Sequence, residues 1–203
     1  MMKFTPESAV ADATDNAVPH TRHAAPAPSH HLLRELRSDH AGETGAVFIY
    51  RGILAVSRDP AVRAFAQQHL ATEQQHLRDI AVWLPRHRHS RLLPGWRVAG
   101  WLTGALPALA GPRAVHATIA AVETFVDHHY QAQIAHLLAL PPAQRPPGLL
   151  PLLQACQADE CHHRDEAAAL AAAAGTAPNW LLRAWCVLVG AGSAAAVGLA
   201  RRV

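Results

Sequence analysis

A chain of 203 residues with a net charge of +3 and a pI near 9.1 has the length of one domain with a sizeable core, since a domain of this size buries roughly 70% of its unfolded surface. Arg far outnumbers Lys and the basic residues do not interleave with aromatics, which argues against a nucleic-acid surface. The three cysteines, Cys156, Cys161 and Cys186, form no C-x-x-C pair, which argues against a zinc ribbon, a rubredoxin-like site or a disulfide framework and fits a reducing compartment.

Half of the residues are hydrophobic, dominated by Ala and Leu without period-two alternation, so the expected class is all-α. Residues 1–30 read as a flexible tail ahead of a domain at 31–203, because Pro, Ala and scattered His20, His23 and His30 cannot build a core. The acids Glu7, Asp12 and Asp15 argue against a transit peptide, and no apolar h-region marks a secretory signal. A first helix is expected from about His31 to Val56, with Leu36, His40, Glu43, Val47 and Tyr50 on a slowly drifting face. Asp59 and Pro60 then serve as N-cap and first-turn residue of a second helix, which Pro85 ends after Leu84.

A basic stretch, Arg86 to Arg91, leads into an apolar segment at 92–111. Pro94, Arg97 and Pro107 leave too short an uninterrupted run there to cross roughly 30 Å of hydrocarbon. With Trp96 and Trp101 as anchors and cations beside anionic headgroups, this segment is expected to lie in a membrane interface. Gly111 and Pro112 open a long helix to about Leu140, PPAQRPPG forms a loop, and a further helix runs from Leu149 to Ala174, closed by Gly175. Pro178 opens a last apolar helix that reaches Arg201 and Arg202. Its Ala, Gly and Ser content favours packing or interfacial contact over spanning. Gly190, Gly192 and Ala195 imitate a dinucleotide turn, but no second strand or acidic residue follows, so they read as packing glycines.

Two Glu-x-x-His steps, Glu73 to His76 and Glu160 to His163, carry the chemistry. A residue three places on lies about 60° around an α-helix, so each pair aims a carboxylate and an imidazole at one spot. Seven Glu and fifteen His predict roughly half of one such step by chance, against the two present. Each step is preceded on an earlier helix by a solitary glutamate, Glu43 or Glu123, which reads as one helical hairpin used twice and matches the ligand set of di-iron and di-manganese bundles. Glu123 lies in the apolar run HATIAAVETFV, where an ionised carboxylate needs a partner or a cation. Asp39, His40, His69, Asp79, Asp127 and Asp159 lie near these residues by helical spacing and are candidates for orienting the imidazoles. Of the adjacent His128 and His129, at most one can face the site.

At these residues the chain resembles the demethoxyubiquinone hydroxylase family, flavin-independent di-iron monooxygenases of ubiquinone biosynthesis. The matching stretches are LRSDHAGETGAVFIYRG from Leu36, EQQHL from Glu73, VETFVDHHYQAQI from Val122 and ADECHHRD from Ala158, in family order over residues 31–203. The resemblance implies a ferritin-like four-helix bundle with additional apolar, membrane-contacting helices, and two Fe ions held by Glu43, Glu73, His76, Glu123, Glu160 and His163, with Glu73 and Glu160 bridging. It also implies O₂-dependent hydroxylation of a polyprenylated demethoxy-benzoquinol, with electrons from an external reductant, NADH or the quinol itself. The implied setting is a membrane surface, at the cytoplasmic face of a bacterial inner membrane or the matrix face of a mitochondrial one, with docking of a lipid-presenting or biosynthetic partner. Tyr130, two turns beyond Glu123, is a candidate for ring contact or radical control. The chain departs from the family at Thr124, Cys161 and His162, and His162 offers a competing imidazole beside His163. An iron-storing or peroxide-detoxifying bundle would use the same ligands, a metal-free helical interaction protein is the plainer alternative, and ligand type does not separate iron from manganese.

Overall fold

The computed structural model describes residues 28–174 and 179–203; most of the expected tail, together with Gly175 and Pro178, lies outside them. Six α-helices run in chain order: α1 His30–Val56, α2 Pro60–Trp83, α3 Leu93–Ala110, α4 Pro112–Ala139, α5 Leu149–Ala173 and α6 Trp180–Ala200. No strand occurs among the described residues. Local chemistry sets the ends. Asp59 Oδ1 accepts from the Ala61 and Val62 amides with Pro60 in the first turn of α2, and Ser29 and Asn179 cap α1 and α6 in the same way. Gly111, at φ +104°, makes the sharp reversal between α3 and α4, a conformation that favours glycine.

Helices α1, α2, α4 and α5 form the bundle, built from two hairpins, α1 with α2 and α4 with α5. Its core divides into two apolar clusters. One centres on Tyr50, Ile53, Val62, Phe65 and Ile119, the other on Leu36, Ile80, Leu84, Leu137 and Leu153. In every bundle helix the expected ligands fall between residues of the first cluster and residues of the second, so the polar centre is sealed from both ends by packed hydrocarbon.

Helices α3 and α6 lie outside this bundle. The segment at 92–111 forms a continuous helix through Pro107, whose missing amide removes only one bond near the helix end. It packs on α1 through glycines at backbone distance. A Cβ at Gly104 would sit 1.9 Å from the Ile49 carbonyl oxygen, one at Gly100 would sit 2.3 Å from that of Gly45, and one at Gly52 would sit 2.2 Å from that of Trp101. Helix α6 lies along α4 and α1. Trp185 Nε1 donates to Thr118 Oγ1 at 2.9 Å, and the Arg201 guanidinium pairs with Glu35 at 2.7 Å. Both helices turn large apolar side chains outward, among them Val98, Trp101 and Leu109 on α3 and Trp180, Val187 and Leu188 on α6. By length and mean hydropathy, 1.6, α6 could cross a membrane, yet polar contacts near both of its ends hold it to the bundle.

Candidate metal centre

Glu43 of α1, Glu73 and His76 of α2, Glu123 of α4, and Glu160 and His163 of α5 are all buried and converge on one place. They form two overlapping groups. Glu43, Glu73, His76 and Glu160 make one, and Glu73, Glu123, Glu160 and His163 the other; within each, one ligand atom per residue lies within 4.8 Å of the rest. Glu73 and Glu160 belong to both groups and could bridge two ions, while Glu43 with His76 and Glu123 with His163 would cap one ion each. Both imidazoles present Nδ1, with His76 Nδ1 3.1 Å from Glu160 Oε1 and His163 Nδ1 3.1 Å from Glu73 Oε1.

Physical chemistry asks for positive charge here. Both oxygens of Glu73 and of Glu160, Glu43 Oε2, and the Nδ1 atoms of His76 and His163 are buried without a hydrogen-bond partner. That many buried acceptors without partners are very unfavourable unless protons or a cation satisfy them. Burial, then the charges of Glu160 and Glu43, push the Glu73 carboxyl well above its usual range. Burial, then Glu160 and Glu73, do the same to Glu123. Against its own burial, the nearby imidazoles of His163 and His76 hold Glu160 down to about 2. Burial lowers the basicity of His76 and His163, but the adjacent carboxylates, Glu160 first in each case, outweigh it and raise both. Protons therefore play the part that two divalent ions, with four positive charges for four carboxylates, would fill better.

A pH dependence follows with a definite sign. Carboxyl and imidazole groups whose affinity for protons is raised by folding stabilise the metal-free fold below their ordinary titration ranges, and this is lost as pH rises through the raised values. Glu160 acts oppositely only in the acid range below its ordinary value, and His40, His69 and His116, lowered by burial, oppose the trend only up to the ordinary imidazole value, beyond which the decline is unopposed by them. The melting temperature of metal-free protein is expected to fall between about pH 5 and pH 8, and that of the metal-loaded protein to rise; calorimetry at both pH values checks it.

The two halves of the site are tied by a crossed pair of tyrosines. Tyr130, seven residues after Glu123, donates its hydroxyl to Glu43, and Tyr50, seven residues after Glu43, donates to Glu123 at 3.4 Å. Burial and the neighbouring carboxylates raise both phenols, so each remains a donor. Tyr50 was legible only as a residue on the Glu43 face; the repeat of one heptad after each solitary glutamate was the signal that pairs it with Tyr130.

The candidate orienting residues divide. Asp159 receives His76 Nε2 at 3.0 Å, and His69 meets the His163 ring edge-on at 4.1 Å while its Nε2 bonds Glu166 at 3.0 Å. The others face elsewhere. His40 stacks on His89, Asp79 takes a bond from Gln75, Asp127 pairs with Arg164, and Asp39 takes a bond from His129. His162 lies at the surface, 3.7 Å from Glu166, and does not compete with His163. Thr124 bonds its own helix at the Ala120 carbonyl, and Cys156 beside the site is a thiol, its pKa pushed up to about 12 by burial. Asp159→Ala is expected to weaken metal binding roughly 10- to 100-fold, with Asp79→Ala unchanged; competition against a chelator measures both.

One cavity adjoins the centre. It has a volume of about 530 Å³, is lined mainly by apolar side chains of α1, α3, α4 and α6, and has Glu43, Glu73, Glu123 and Glu160 in its wall. Trp96 and Thr103 of α3 and Trp185 and Leu188 of α6 form its outer side. A cavity of this kind takes a largely apolar molecule and presents it to the carboxylate cluster.

The sequence is similar to those of known proteins. A family model described as Ubiquinone biosynthesis protein COQ7 matches residues 30–200. The chain is 34% identical over 173 residues to the mitochondrial NADPH-dependent 3-demethoxyubiquinone 3-hydroxylase of Caenorhabditis elegans, covering 82% of this chain and 92% of that protein. It is 34% identical over 169 residues to the Rattus norvegicus protein of the same name, covering 82% and 76%. To the 3-demethoxyubiquinol 3-hydroxylase of Rhodospirillum rubrum it is 42% identical over 115 residues, 55% and 54% of the two chains.

Proposed function

The chain belongs to the ubiquinone biosynthesis protein COQ7 family, and from that premise we propose that it hydroxylates the ring of a polyprenylated demethoxy-benzoquinol in ubiquinone biosynthesis, using O₂ and two iron ions. Glu43, Glu73, His76, Glu123, Glu160 and His163 would hold the irons, with Glu73 and Glu160 between them. Bound iron supplies the activation of O₂ and the transfer of one of its atoms to the ring. The chain's own part is to exclude water, orient the ring and hold protons. The two apolar clusters keep bulk water from the centre, Tyr50 and Tyr130 fix the terminal carboxylates, and Asp159 fixes the His76 ring.

The observation that carries this reading is the apolar cavity that reaches the carboxylates from between α3 and α6. About 530 Å³ holds an aromatic ring and the first part of an isoprenoid tail, and the rest would leave along the outward apolar faces of the same two helices. An iron store needs no such space beside its metals. Those outward faces also support peripheral association with a membrane, at the cytoplasmic or matrix face, where the quinol resides. Reducing equivalents come from outside the bundle; the C. elegans and rat relatives are NADPH-dependent by name.

Purified, iron-loaded protein supplied with the demethoxy-quinol, a nicotinamide reductant and O₂ is expected to yield a product one oxygen atom heavier. Iron uptake and O₂ consumption without that product would overturn the assignment in favour of storage or peroxide removal.

A further inference from the structure

Within the cavity the wall next to the carboxylates is not uniformly aliphatic. Phe125 and His129 lie one turn apart on α4, both line the cavity, and their rings are nearly parallel, 11° apart with centroids 6.1 Å from one another. Both rings share this cavity wall with Glu43, Glu123 and Tyr130.

The His129 ring is held by both edges. Its Nε2 lies 2.8 Å from Asp39 Oδ1, 2.9 Å from Gln133 Nε2 and 3.3 Å from Ser38 Oγ. Asp39 has a side chain with 0% exposure and also accepts from Gln133 Nε2 at 2.6 Å, so it is a rigid acceptor. At the other edge Nδ1 faces Arg201 Nη2 at 3.5 Å, and Arg201 is itself fixed by Glu35. The Asp39 acceptor at Nε2 and the Arg201 donor at Nδ1 select the tautomer with the proton on Nε2, and Gln133 acts on the ring through the Asp39 oxygen that both share. With the edges occupied, a molecule in the cavity can meet His129 through the face of its ring.

Resting on the hydroxylase reading, we infer that Phe125 and His129 form the platform on which the quinol ring lies, and that Asp39 and Gln133 position His129 for this contact. Planar rings gain from offset stacking beyond the area they bury, and each such contact is worth roughly a tenfold change in affinity. The isoprenoid tail makes no demand on this platform. Ring recognition therefore resides on α4 next to the metal ligands, and tail accommodation on α3 and α6.

The experiment uses the iron-loaded full chain and two substrates, the tailed demethoxy-quinol and its tail-less ring analogue. Phe125→Leu and His129→Gln are expected to raise KM roughly 10-fold for both substrates and to lower the yield of product per O₂ consumed, with two irons retained. Phe125→Tyr should restore values near wild type, which a purely structural role would not predict. Unchanged KM and unchanged yield in both variants, with an active wild type, would overturn the platform and leave the hydroxylase reading intact. If the wild type forms no product, that reading fails, and the platform is then judged by binding of the tail-less quinone through quenching of tryptophan fluorescence: weaker binding by Phe125→Leu supports it, equal binding overturns it. Should one variant lose iron, the other, scored with iron content, decides.

Discussion

Glu123→Ala is expected to abolish hydroxylation and to lower the metal content from two ions per chain to one. Glu123 belongs to only one of the two ligand groups, with Glu73, Glu160 and His163, so its removal leaves the group of Glu43, Glu73, His76 and Glu160 complete. Loss of one ion of a metal pair removes several kcal/mol of transition-state stabilisation, which at 1.36 kcal/mol per decade corresponds to a rate loss on the order of 10³-fold or more. Glu160→Ala should be more severe in metal content, because that residue is shared by both groups and lies 3.1 Å from His76 Nδ1 and 3.5 Å from His163 Nδ1. The alanine at 123 also frees the Tyr50 hydroxyl from its acceptor. Metal analysis alongside turnover separates the outcomes: two ions retained in Glu123→Ala, or normal turnover with one, would sink the shared-ligand arrangement.

A second large effect is expected far from any ligand. Gly104→Leu should lower the melting temperature by several degrees and depress turnover while leaving both metal positions filled. Leucine at an exposed helix site would ordinarily gain up to about 1 kcal/mol over glycine, but here even a Cβ would sit 1.9 Å from the Ile49 carbonyl oxygen, and backbone cannot swing aside. Overpacking of this type costs about 1–3 kcal/mol or more, at roughly 2–4 °C per kcal/mol in a protein of this size. Helix α3 must move off α1, and it carries one wall of the cavity. The ligands sit on α1, α2, α4 and α5, so metal binding is spared. Gly190→Ala is the control, since nothing lies within 4 Å of its added Cβ, and it should be neutral or slightly stabilising. Calorimetry and steady-state turnover on the two variants check the contrast.

The separation between these two effects shows which parts of the protein were legible in its residues. The four residues of the two Glu-x-x-His steps were, because such a step is a statement about one face of one helix and needs no knowledge of the partner. The candidates for orienting residues were legible only in part. Helical spacing placed Asp79, Asp127 and His40 near ligands along the chain, but neighbouring side chains took them up on other faces, Gln75 for Asp79, Arg164 for Asp127 and His89 for His40. Tyr50 was visible on the Glu43 face, yet the carboxylate it serves belongs to the other hairpin. The prolines and Arg97 mark the apolar stretch at 92–111 as too interrupted to span a membrane, while its glycines give no warning that they admit α1 to backbone contact.

What the chain determines by itself is therefore local and periodic: the helical segments, the Asp59 cap, the Glu-x-x-His steps, and the apolar run around Glu123 in which a carboxylate needs a partner or a cation. What only tertiary structure decided is every relation between helices. The crossed tyrosines, the cavity between α3 and α6, and the locked edge of His129 all depend on how hairpins pack. The reason is physical: helical periodicity sets the direction in which a side chain leaves its own axis, whereas the atom it meets is set by the distance and rotation of another axis, which close packing of the whole core selects.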